Sequence, residues 1–87
     1  MLIYTVMMYF HADTDIMLAT LDKEQALKEF KSDSMYSLQI WEDGELLIEL
    51  WCREHSVHSR TYEPSRDLNR YSQKGQKLFK EIVEELK

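Results

Sequence analysis

The stretch MYSLQIWEDGELLIELWCR, residues 35–53, constrains the fold more than any other because it specifies its own reversal. Two apolar runs flank Glu42-Asp43-Gly44. Glycine takes a positive φ without the Cβ penalty other residues meet there, so a β-hairpin is expected. Parity then selects the turn. A two-residue Asp43-Gly44 loop sets Ile40 across from Leu47 and Leu38 across from Glu49, which mixes the faces. A three-residue loop, type I with Gly44 in the left-handed position as a bulge, sets Ile40 opposite Leu46, Leu38 opposite Ile48 and Tyr36 opposite Leu50. One face is then uniformly apolar, and the three-residue loop is the expectation.

The opposite face is expected to carry Trp41 beside Glu45, Gln39 beside Leu47, Ser37 beside Glu49 and Met35 beside Trp51. It is mainly polar, yet it holds two indoles and a leucine. Scattered exposed apolar side chains are normal, so these three could simply pack on one another or under a loop. The sharper reading is a partner-contact patch of Trp41, Leu47 and Trp51 with the acids Glu45 and Glu49, because tryptophan anchors are enriched where partners bind.

At 87 residues the chain is expected to be a single domain, 1–87, burying roughly 60 to 65% of its unfolded surface. With 44% hydrophobic and 31% charged residues it fits neither a disordered nor a membrane-spanning class. No window approaches the ~20 apolar residues that cross a bilayer, and no membrane partner is expected. The opening MLIYTVMMYF lacks a basic region and a small-residue cleavage site, so it reads as a strand and not a signal peptide. A lone cysteine, Cys52, agrees with a reducing cytoplasm as the expected compartment.

The net charge of -5 conceals an asymmetry. Residues 1–49 hold ten acids against three lysines, for -7; residues 50–80 hold seven Lys and Arg against three acids, for +4; residues 81–87 contribute -2. A two-sided molecule is implied.

In chain order, residues 2–11 are expected to form a strand apolar on both faces, and hence central or partly covered by a partner. Residues 12–15 are expected to turn, and residues 16–20 to return as a short second strand. Asp22 with Gln25 has capping-box spacing, and Ala26, Leu27 and Phe30 supply the apolar stripe of a short helix. The central hairpin follows. After Arg53 periodicity is lost until Tyr62: the hairpin's second strand either extends through Glu54 or gives way to an irregular edge, and the segment is left unassigned. Beyond Pro64, with Ser65 as a candidate cap, Leu68, Tyr71, Gly75, Leu78, Ile82 and Leu86 recur at spacings of three and four. One long helix over 66–86 is expected, with Gly75 on its stripe permitting close approach to the sheet; the alternative is that the helix truly starts near Ser72. The expected architecture is α+β: two β-hairpins in an antiparallel or mixed four-stranded sheet, with a short helix and a long C-terminal helix on one face, in the order ββαββα.

Chemistry-bearing patterns are sparse. Cys52, His55 and His58 stand at C-x2-H-x2-H, and His11, Asp13 and Asp15 sit in the first expected turn. Zinc needs three or four convergent ligands, and Cys52 falls in the apolar row of the hairpin, so no metal is expected. Cys52 with His55 lacks an oxyanion-hole glycine motif, and the two glycines leave no phosphate-cradling loop. No catalytic residue and no cofactor are expected. Arg53, Arg60, Arg66 and Arg70, interleaved with Trp51, Tyr62 and Tyr71, form an alternative anion-binding set suited to a nucleotide or nucleic acid, against which stands the acidic overall balance.

In length, in its MLIYTVMMYF first strand, in its WEDGEL hairpin and in its acidic surface, the chain resembles the small acidic proteins with which bacteriophages and other mobile elements disarm host enzymes, anti-CRISPR proteins among them. That resemblance implies a stoichiometric inhibitor of a host-defence protein. The expected function is a non-catalytic inhibitor or adaptor binding a larger protein, with homodimerisation through the tryptophan face as a compatible mode.

Overall fold

The computed structural model describes residues 1–10, 13–56 and 58–87. Five strands, β1 (Leu2–Phe10), β2 (Asp13–Thr20), β3 (Tyr36–Glu42), β4 (Glu45–Ser56) and β5 (Ser59–Pro64), form one antiparallel sheet in the order β2-β1-β3-β4-β5. Helix α1 (Lys23–Lys31) links β2 to β3, and a 3-10 turn (Leu68–Arg70) precedes helix α2 (Gln73–Leu86). The α+β class and the two helices agree with expectation; the sheet has five strands, not four. The added strand is β5, whose residues alternate too little in polarity to show a period because the strand lies at the sheet edge and is largely exposed.

The central turn differs from the expected three-residue loop. Asp43 (φ 51) and Gly44 (φ 80) both have positive φ, and Glu42 pairs with Glu45, so the loop has two residues and the primed geometry that matches strand twist. Parity is restored one step later. Trp41 pairs with Leu46 but Ile40 pairs with Ile48, leaving Leu47 as the extra residue of a bulge. Beyond it Leu38 faces Leu50, so the apolar rows align after all. The odd residue sits in β4 instead of in the loop.

The helices cover one face. Tyr4 and Val6 of β1, Leu38 and Ile40 of β3, and Ile48 and Leu50 of β4 lie in register and join Ala26 and Phe30 of α1, Ile82 and Leu86 of α2, and Tyr71 in one core. Removing such side chains from water is worth about 1.5–3 kcal/mol each, so this layer carries most of the stability. Tyr62 ties the edge strand in by stacking at 5.6 Å, tilted, on Phe30.

Local signals explain where the helices begin. The Asp22 carboxylate accepts from the Gln25 N–H (3.3 Å), while Thr20 Oγ1 accepts from the Asp22 N–H (3.0 Å) and donates to Gln25 Oε1 (2.9 Å). The reciprocal half of the expected capping box thus passes through Thr20. The expected helix over 66–86 is interrupted, and the alternative start near Ser72 holds. Asp67 caps the 3-10 turn, Tyr71 is extended (φ -91, ψ 158) with its ring buried and its hydroxyl 2.7 Å from Ser65 Oγ, and Ser72 caps α2 by accepting from the Gly75 N–H (3.1 Å). Fixing Tyr71 in the core costs the helix its first turns.

One further expectation changes. Residues 13–15 begin β2, pairing with Phe10, Tyr9 and Met8, and do not form a turn. His11 and Ala12, from that expected turn, lie outside the described residues.

Candidate functional site

Among the described residues no helix lies on the second face of the sheet; both α1 and α2 pack on the first. Register divides the second face into three rungs. Ile3, Trp41 and Leu46 form an apolar rung near the central turn. Ala19, Thr5, Gln39 and Glu49 form a mainly polar one. Ile16, Met7, Ser37, Trp51 and Glu63 form the third, with Tyr9 and Thr14 just beyond it. Two residues separate neighbouring rungs, so Trp41 and Trp51 stand about 13 Å apart along the strands.

The middle rung is a hydrogen-bonded ladder across β1, β3 and β4. Gln39 is its centre. Its Oε1 accepts from Thr5 Oγ1 (3.2 Å) and from Trp41 Nε1 (3.2 Å), and its Nε2 donates to Glu49 Oε2 (2.6 Å). Trp41 Nε1 also reaches Thr5 Oγ1 (3.3 Å), and the Tyr9 hydroxyl donates to the same Glu49 oxygen (2.8 Å). Burial first, then the hydrogen bond to and charge of Glu49, push the Tyr9 hydroxyl pKa above its ordinary value, so Tyr9 remains a neutral donor. The ladder fixes an indole at one end and a phenol at the other.

The outer rung is less filled. Ser37 is small and 1% exposed, and its hydroxyl has no hydrogen-bond partner among the described residues. Above it, Tyr9, Ser34, Met35, Tyr36, Trp51 and Cys52 border a notch of about 240 Å³. Trp51 is 48% exposed and Tyr9 41%, while Ile16 across the rung is 65% exposed.

The expected contact residues divide accordingly. Trp41, Trp51 and Glu49 share the open face; Glu45 is exposed beside the turn. Leu47 does not join them. It is 5% exposed, because the bulge that contains it is pressed against α2, and it is corrected from contact residue to buried residue. Sequence reasoning missed Tyr9, Thr5 and Gln39, whose roles depend on strand pairing between residues 30 or more positions apart.

The alternative anion-binding arginines do not form one cluster of free cations. Arg53 pairs with Glu63 (3.4 Å), and Arg60 pairs with Glu54 (3.3 Å) and donates to the Lys31 carbonyl at the end of α1 (3.2 Å). Arg66 and Arg70 are exposed around the 3-10 turn. A larger cavity of about 490 Å³ between β5 and the ends of both helices is bordered by Lys31, His58, Arg60, Lys87, Tyr62, Val83 and Leu86, among others. Its cations face two helix C-termini, whose partial negative charge they offset, and Lys87 also meets Glu84 (3.3 Å).

Among the described residues no three of His, Cys, Asp and Glu converge as a metal-ligand set. Cys52 is half-buried opposite Tyr62, burial raising its thiol pKa, and His55 Nε2 lies 2.9 Å from Thr61 Oγ1. Burial disfavours the thiolate form of Cys52. Among the described residues no helix is long and apolar enough to cross a membrane. No family model, curated protein or solved structure matches the chain.

Proposed function

We propose that this protein acts by binding and not by catalysis, docking the open face of its sheet onto a larger protein as an inhibitor or adaptor. The observation that supports this most is the face itself. Trp51, Ile3, Tyr9 and Ile16 are exposed together on a surface that neither helix covers, around a polar centre whose side chains are already held in place. Apolar side chains collected on one face are costly to leave in water, and aromatic anchors with fixed rotamers lose little entropy when a partner covers them. The resemblance to phage-encoded anti-defence proteins fits this mode, making a host-defence protein the proposed class of target.

The test is affinity capture from a nuclease-treated lysate of the native host, read by mass spectrometry, with wild-type protein alongside Trp51→Ala. A protein retained by the first and lost by the second, both folded by circular dichroism, is the expected result. Identical captures from both would remove the open face from the function.

A further inference from the structure

Glu49 is unusual among the acids of this chain. Its Oε2 is gripped by two neutral donors, Gln39 Nε2 at 2.6 Å in a part-buried setting and the exposed Tyr9 hydroxyl at 2.8 Å. Among the described residues no Lys, Arg or His nitrogen pairs with it; Glu42, Glu54, Glu63, Glu84 and Glu85 have cations, and of the acids without one only Glu49 is held by two side-chain donors. The nearest basic residue along the same row of β4, Arg53, is turned to Glu63. Glu49 is therefore a carboxylate fixed in position, shielded on one side by the sheet, and left without a counter-charge. A partly desolvated charge of that kind is stabilised by an incoming cation more than an exposed one is.

The surroundings define the shape of that cation. One rung over from Glu49, the small Ser37 leaves the notch bordered by Tyr9, Met35, Tyr36 and Trp51; Glu49 is not in its lining but is joined to it through the Tyr9 hydroxyl. An extended aliphatic stem fits such walls, and a guanidinium or ammonium at its end is attracted both by ring faces and by the carboxylate. Guanidinium suits the site better, being planar, weakly hydrated and able to stack.

We infer that the notch and Glu49 together receive one arginine or lysine side chain from a basic segment of the protein partner, with Tyr9 and Trp51 flanking the stem and the Glu49 carboxylate meeting the charge. This rests on the open-face reading above and specifies the partner's chemistry. It also agrees with the sign of the chain, whose first 49 residues are strongly acidic.

The experiment uses hexa-arginine as probe and hexa-citrulline as its uncharged analogue, each titrated into isotopically labelled protein and followed by NMR. The expected result is that hexa-arginine shifts the Trp51 indole N–H and the Gln39 side-chain amide while hexa-citrulline does not. Glu49→Gln, which keeps an acceptor for Tyr9, is expected to weaken hexa-arginine binding at least tenfold, and Glu24→Gln, which removes an equal charge on α1, less than twofold. Equal weakening by the two variants, shifts confined to other acidic surfaces, or no binding would each overturn the inference. Captured partner then separates the two levels: if Trp51→Ala releases it while Glu49→Gln retains it at wild-type affinity, the docking face stands and the cation anchor falls.

Discussion

Gly75 of α2 lies against the carbonyl of Leu47: a Cβ built on it would come within 2.0 Å of the Leu47 oxygen and 2.9 Å of its carbonyl carbon. The bulge residue and the helix glycine are thus one device. The bulge that keeps the apolar rows aligned puts Leu47 out of the ladder, and only a residue without a side chain lets the first turn of α2 settle there.

Gly75→Ala sets two effects against each other. Alanine favours a helix by about 1 kcal/mol, while the clash is with backbone, which has no rotamer to yield, and overpacking costs about 1–3 kcal/mol or more. A net loss of stability is expected in chemical denaturation, against the gain that helix propensity alone implies. A stabilised variant would show that α2 does not sit on the bulge.

Gly44→Ala fails for a different reason. Nothing lies within 4 Å of a Cβ there, but φ is +80, so the cost is conformational, about 1–2 kcal/mol. Asp43→Asn, by contrast, keeps a side chain that tolerates left-handed backbone and is expected to be within about 0.5 kcal/mol of wild type. Equal destabilisation by the two substitutions in urea melts would argue against the two-residue turn.

Gln39→Leu removes the hub of the ladder. Trp41 Nε1 keeps only Thr5, and Glu49 loses its shorter hydrogen bond. A destabilisation of about 1–3 kcal/mol is expected, with a change in Trp41 fluorescence. Unchanged stability together with an unchanged spectrum would mean that the ladder is incidental.

Two pH dependences have opposite signs. Glu42 is held below its usual 4.5 first by its hydrogen bond to Lys74, so the stability it contributes is present above 4.5 and is lost as pH falls through the lower, folded value. Glu42→Gln should flatten that acid limb in pH-dependent melts. Tyr9 is raised above 10.0, so its contribution is present below 10.0 and is lost as pH climbs through the higher, folded value. Glu49→Gln removes one of the causes and should bring the Tyr9 phenolate absorbance transition closer to 10.0; no movement would place Tyr9 away from Glu49.

The sequence made a hairpin reversing around residues 42–44, the cap at Asp22 and the inward apolar rows legible, because each rests on residues close together along the chain. It concealed the bulge, since polarity alternation reports parity but cannot say whether the odd residue belongs to the loop or to the strand. It concealed β5, because an edge strand with Arg60, Thr61 and Glu63 needs no apolar period. The long helix failed at Tyr71, whose spacing fits α2 while its buried hydroxyl fits Ser65. At the candidate site, Trp41, Trp51 and Glu49 could be read from a single hairpin. Tyr9 and Thr5 could not, because nothing in sequence announces that β1 lies beside β3.

The most direct measurement is the dissociation constant of the complex with the captured partner for Trp51→Ala, set beside Lys80→Ala on the far side of the molecule. Truncating an exposed aromatic anchor is expected to weaken binding about 30-fold or more, while the lysine substitution leaves it unchanged. An affinity that survives the loss of the indole, or falls equally with the lysine, would contradict docking through the open face of the sheet.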